Sequence, residues 1–137
     1  MSKYNHEGYL DPTAHDALSV ISRKEKFRPI IYICSPYSGD VERNTENAKK
    51  YCRFAVDSGY IPIAPHIYFP QFMCDETERE LAMFMDIALL SKCAELWVFG
   101  RKISKGMAQE IYKAECKGMP IKYFDEDLKQ FYVEEAL

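Results

Sequence analysis

No run of eighteen apolar residues occurs in the chain, so no membrane-spanning helix is expected. The opening stretch MSKYNHEGYLDP is polar and lacks the apolar centre of a secretory signal. A basic face is missing as well. The 18 Lys and Arg are outnumbered by 21 Asp and Glu, the formal net charge is −3, and the cations are scattered. One short run, Arg23-Lys24-Glu25-Lys26, is broken by an acid and reads as a solvated helix end. This is not the electrostatic footprint of a nucleic-acid binder, so neither nucleic acid nor membrane is an expected partner. Cysteine never forms a CxxC pair: Cys34, Cys52, Cys74, Cys93 and Cys116 are an odd number, widely spread. That argues against a zinc ribbon, a dithiol redox motif and a disulfide framework. Four of the five sit in apolar strands or helices and read as small buried hydrophobes, which fits a reducing, cytoplasmic setting. There is no G-x-S-x-G elbow, no Walker loop and no dinucleotide fingerprint, so no cofactor is expected. His66 has Cys74 and Asp75 as its nearest candidate co-ligands, without a recognised metal spacing, so no metal is expected either.

What is present is enough apolar residue, 47%, to build one domain's core from 137 residues. Residues 1–28 read as an N-terminal extension with one helix. Asp11-Pro12 supplies its N-cap and first position, Ala14, Ala17, Leu18 and Ile21 follow at helical spacing, and Pro29 stops it. From Pro29 strands and helices alternate. Ile30–Cys34 is apolar on both faces, as a central parallel strand is. A helix is expected over about 42–58, ended by Gly59. Ile61-Pro62-Ile63-Ala64 is a short strand, placed at the sheet edge because of its proline. An aromatic loop (65–75), a helix (76–92), a strand (95–99), a helix (104–117), a strand (120–124) and a last helix capped by Asp125 complete the chain. The expected fold over residues 29–137 is α/β: a flavodoxin- or Rossmann-like three-layer domain with a four- to five-stranded parallel sheet. In such sheets ligands bind beyond the carboxyl ends of the strands, here the loops 35–41, 65–75 and 100–106.

Three residues stand out. Asp86 lies in AMFMDIALL, one acid among eight apolar residues, with no polar stripe to share. It is either a carboxylate held in a pocket to receive ligand hydroxyls, or an acid on a merely greasy exposed face or paired with Arg or a helix N-terminus. Glu110 borders the core stripe Met107, Ile111 and Ala114 of its helix, a position where a carboxylate is either simply solvated or half desolvated and within reach of the sheet's mouth. That helix starts at Ser104-Lys105-Gly106, with Ser104 as N-cap and free backbone N–H groups that favour an anion. Tyr32, inside an apolar strand, must find a partner for its hydroxyl, whether as a satisfied core residue or as part of a site.

Together these residues carry a resemblance. Tyr32-Ile33-Cys34-Ser35 with the Gly39 turn resembles the first strand and loop of nucleoside 2-deoxyribosyltransferases and 2'-deoxynucleoside 5'-phosphate N-hydrolases. Ser104-Lys105-Gly106-Met107-Ala108-Gln109-Glu110 resembles their helix start with its catalytic Glu, and Asp86 matches their sugar-binding Asp. The likeness covers roughly residues 29–124 and is closer still to phage and bacterial relatives carrying PYSGD and PHIYFP. It implies that Glu110 attacks the anomeric carbon of a (deoxy)ribosyl group, that Tyr32 orients and tunes it, and that Asp86 holds sugar hydroxyls. Water then releases the sugar, or a second base accepts it. Ser104, Gly106 and Met107, with Ser35, Tyr37, Ser38, Gly39, Arg43 and His66, are the implied substrate contacts. Ser104, six residues before the Glu, stands where the phosphate-dependent hydrolases carry Ser and the free-nucleoside transferases an acid. It points to a 5'-phosphate. Pro36 departs from the Ser those hydrolases use in the first loop. The short stretch after Phe124 leaves Tyr132 or the 65–75 loop to replace the segment by which family members complete a neighbour's site. The family also implies a homodimer or larger homo-oligomer, and the apolar excess of the 76–92 helix agrees.

Three readings follow: an N-glycosidase or deoxyribosyltransferase acting on nucleosides or nucleoside 5'-monophosphates; a non-catalytic module binding a nucleotide or nucleotide-derived signal; and an interaction protein with a Tyr, Phe and Met docking surface. The last predicts no pocket at the strand ends.

Overall fold

The computed structural model describes residues 27–133. The helix read over the N-terminal extension lies outside them. β1 (Ile30–Cys34) is the centre of the molecule, with Ile31, Tyr32, Ile33 and Cys34 all inaccessible to solvent. α1 (Val41–Asp57) starts where the Asp40 carboxylate accepts from the Arg43 amide at 3.1 Å. It ends at Gly59, whose φ of 93° only glycine adopts readily. β2 (Ile61–Ile63) pairs with β1 alone, so Pro62 sits on the edge strand that tolerates a missing donor.

The segment read as an aromatic loop is partly ordered into a four-residue helix α2 (Pro65–Tyr68) and a 3-10 turn (Phe69–Gln71). Pro65 and Pro70 occupy early helical positions, where the missing N–H costs nothing. Tyr68, Phe69 and Phe72 pack edge-on or tilted against one another. α3 (Asp75–Leu90) is kinked at Glu78, β3 (Glu95–Phe99) follows, and α4 (Lys105–Cys116) leads to β4 (Ile121–Phe124).

The final helix is corrected. The chain turns after β4 and returns as a short antiparallel strand, β5 (Gln130–Phe131), with Tyr123 opposite Phe131 and Phe124 opposite Gln130. Asp125 does cap backbone amides, accepting from Asp127 at 2.9 Å and Lys129 at 3.0 Å, but it folds a turn rather than starting a helix. The turn braces the loop before α4. Glu126 Oε1 accepts from the Arg101 amide at 3.2 Å, and the Arg101 guanidinium lies 4.3 Å from the centre of the Phe131 ring.

The sheet is five-stranded, ordered β2-β1-β3-β4-β5, and parallel except at β5. Alternation along the strands divides the core into two layers. Ile31, Ile33, Trp97, Phe99 and Phe124 face α1 with Tyr51 and Ala55, and the Tyr51 and Phe99 rings stack at 4.2 Å. Tyr32, Cys34, Leu96 and Val98 face the other way and pack with Leu90, Met107 and Ala114 of α3 and α4. The three-layer α/β architecture expected from the sequence is therefore present. The cysteines divide more evenly than expected: Cys34 and Cys93 are buried, Cys52 is half-buried, and Cys74 and Cys116 are exposed. Cys116 falls on the outer face of the last turn of α4. Among the described residues no helix is long and apolar enough to cross a membrane.

Candidate active site

The strand order reverses between β1, whose successor β2 lies to one side, and β3, which lies to the other. Beyond the carboxyl ends of these two strands the connections to α1 and α4 diverge and leave a crevice. A cavity of about 700 Å³ occupies it. Ser35 enters its lining from the end of β1, Ser104, Gly106, Met107 and Glu110 from the start of α4, Asp86 from α3, and His66 from α2. Tyr37 and Ser38 complete the nominated residues found there. The remaining three are placed elsewhere. Tyr32 is wholly enclosed beneath the floor, whereas Gly39 and Arg43 are exposed at the start of α1 and do not line the cavity.

Glu110 is more enclosed than its border position suggests. It is 8% exposed, while Ile111, read as part of the core stripe, is only half-buried. Its carboxyl pKa is pushed up to about 7, first by burial and then by the charge of Asp86; the Tyr32 hydroxyl and the Cys34 thiol pull the other way. The Cys34 thiol donates to Glu110 Oε1 at 3.6 Å. The Tyr32 hydroxyl lies close enough for its proton to resist leaving beside Glu110 and Asp86, after the dominant effect of burial, yet makes no hydrogen bond of ordinary geometry. Asp86 is half-buried, with a pKa raised to about 6 by burial. Its Oδ1 is enclosed without a partner; among the described residues, only this atom and the Tyr32 hydroxyl are polar side-chain atoms in that condition. Buried polar atoms are rarely left unpaired, and of the two residues Asp86 lines the cavity while Tyr32 lies enclosed behind it.

His66 shares a 2.8 Å hydrogen bond between its Nε2 and the Ser35 hydroxyl. Burial lowers its ring pKa to about 4, so it is neutral near neutral pH. Ser104 caps α4 by accepting from the Met107 amide at 3.2 Å. Among the described residues no group of three or more His, Cys, Asp and Glu gathers as a metal site.

Sequence reasoning missed several lining residues, notably Arg79, Lys105, Phe69 and Met73. Arg79 lies in the first turns of α3 and is held by Asp75 at 2.8 Å; Lys105 is the first residue of α4. Both cations sit where the helix dipole disfavours positive charge, and that was the signal available for them. Cys34, read as a small apolar filler, was missed as a partner of Glu110. Chemically, the crevice offers a desolvated carboxylate, a second acid beside it and a phenol beneath, in a site open enough to admit a small molecule.

The family profile described as "Domain of unknown function (DUF7768)" matches residues 29–124. No curated protein matches the chain. Eight chains of solved structures do. One is described as the 2-deoxyribosyltransferase from the psychrotolerant bacterium Bacillus psychrosaccharolyticus, a biocatalyst for the synthesis of antiviral and antitumoral nucleosides. It is 20% identical, with a TM-score of 0.53 over 77% of this chain and 86% of that one. At that identity the likeness is one of fold.

Proposed function

The chain belongs to the DUF7768 family, and we propose that it cleaves or transfers the N-glycosidic bond of nucleosides or nucleoside 5'-monophosphates, with Glu110 as nucleophile. The observation that carries the reading is the buried Glu110 carboxyl at the cavity wall, with Asp86 beside it and Tyr32 beneath. The likeness of fold to a 2-deoxyribosyltransferase supports the same class of chemistry.

Ionised Glu110 forms a bond from a carboxylate oxygen to the anomeric carbon. The bond from that carbon to the base nitrogen breaks, and the base leaves with the electron pair and takes a proton from water at the cavity mouth. Burial matters here, because a desolvated carboxylate is a stronger nucleophile than one held in water. The orphaned Asp86 oxygen accepts from sugar hydroxyls. Water, or the nitrogen of a second base, then attacks the anomeric carbon and returns Glu110 to its carboxylate. Ser35, Tyr37, Ser38 and His66 on one side, and Ser104, Gly106 and Met107 on the other, make up the substrate-facing wall. Self-association through the exposed apolar face of α3 and α4 belongs to the same reading; Phe84 is 71% and Tyr112 70% exposed there. The unpaired thiols fit a reducing, cytoplasmic setting.

The test is incubation with a panel of nucleosides and 5'-monophosphates, with free base detected by chromatography. Release by the wild type that vanishes in Glu110→Ala, while circular dichroism shows the fold retained, is the expected result. Tight nucleotide binding without release from any substrate would replace the enzyme by a binding module.

A further inference from the structure

The resemblance assigns the tuning of Glu110 to Tyr32, but the structure places a second group closer to a proper bond. Cys34 is the last residue of β1 and is wholly buried. Its Sγ lies 3.6 Å from Glu110 Oε1 and 3.8 Å from the Met107 carbonyl oxygen. The Tyr32 hydroxyl, two residues earlier on the same face of the strand, has no such partner. We propose that Cys34 is a positioning residue of this site, its intact S–H switching its hydrogen bond between Glu110 and the Met107 carbonyl as the carboxyl gains and loses charge. The inference rests on the reading of Glu110 as nucleophile for its consequence, though not for its test.

A thiol has one proton, and here two acceptors compete for it. An ionised carboxylate is the stronger, so the S–H points to Glu110 whenever that carboxyl is charged and then holds Oε1 in place. Once Glu110 has bonded to a sugar, its oxygens are ester oxygens and weak acceptors. The carbonyl one turn earlier on α4 then accepts the S–H hydrogen bond without any main-chain movement. The weakness of the donor is useful. A hydroxyl in the same place would stabilise the resting carboxylate more and blunt its attack, whereas an apolar residue would leave the carboxylate unaligned. The groups that face Glu110 are few: Tyr32 and Cys34 from β1, and Asp86 from α3. Tyr32 and Cys34 favour its charged form and Asp86 opposes it, so the effect of removing the thiol has a defined sign.

The substrate-free protein provides the test. The Glu110 carboxyl is titrated by carbon-13 NMR, its signal assigned by loss in Glu110→Gln, in the wild type and in Cys34→Ala, Cys34→Val and Cys34→Ser. Losing one hydrogen bond to a charged group should raise the midpoint by about half a unit to one unit in the Ala and Val variants. The Ser variant, with a stronger donor, should titrate at or below the wild-type midpoint. Val keeps the side-chain bulk without the donor, so it decides the matter if the Ala variant does not fold. Where base release is measurable, the acid limb of kcat/KM should move with the midpoint while KM stays put. Wild-type midpoints in Ala and Val, or a Ser variant that moves upward with them, would overturn the proposal. A protein that cleaves no nucleoside would defeat the proposed function yet leave the titration able to decide on Cys34.

Discussion

Replacing Glu110 by Gln should stabilise the protein, and only above the pH at which an ordinary glutamate ionises. The carboxyl is 8% exposed and its pKa is raised from the usual 4.5 to about 7, mainly by burial. A group whose folded pKa lies above its unfolded value binds its proton more tightly when folded. Its favourable contribution is complete below pH 4.5 and declines as pH rises towards 7. A shift of this size corresponds to roughly 3 kcal/mol of lost stability by pH 8, at about 1.4 kcal/mol per unit. Gln keeps the shape, accepts from the Cys34 thiol and can donate to the orphaned Tyr32 or Asp86 oxygen. Asp86 stays in both proteins, and its own loss of stability with pH largely cancels from the comparison; its repulsion of Glu110 is already contained in the Glu110 shift. Urea denaturation at pH 4.5, 6 and 8 measures the difference. The variant should match the wild type at pH 4.5 and exceed it by roughly 2–3 kcal/mol at pH 8, with no base release at any pH. A variant less stable than the wild type at pH 8, or a difference independent of pH, would show that Glu110 is not a strained carboxylate.

Asp86→Asn should lower kcat/KM for base release about tenfold to a hundredfold, the cost of a charge-assisted hydrogen bond to a sugar hydroxyl; a variant with wild-type kinetics would remove Asp86 from the site. Phe84→Glu should shift the protein to a smaller species in light scattering without lowering its melting temperature, because Phe84 is 71% exposed within one copy. An unchanged molar mass would free α3 from any role in self-association.

What could be read from residues alone followed their periodicity. β1, with apolar residues on both faces, and β2, marked as an edge by Pro62, stand where their patterns placed them. Asp125 did not, because an Asp that caps a helix and an Asp that ties a turn make the same backbone bonds over the first few residues. The site was legible in parts. Asp86 betrayed itself by charge among apolar neighbours, and its enclosed, partnerless oxygen is what that pattern implies. Glu110 showed only a border position, since the neighbours that bury it come from another strand and another helix. The Cys34–Glu110 bond joins residues 76 positions apart, and no local pattern in either segment encodes such a meeting. Gly39 and Arg43, named through the resemblance, stand beside the crevice rather than in its lining, since the chain from the end of β1 leaves the cavity before α1 begins.

The closing hairpin couples the chain's last described strand to the start of α4. Family likeness ends at Phe124, yet Glu126 and Phe131 beyond it grip Arg101, three residues before the cap of the helix that carries Glu110. Residues outside the shared domain thus act as a set-screw on a part inside it. A change at Glu126 or Phe131 should therefore reach the start of α4, and through it Glu110, without altering any residue that lines the cavity.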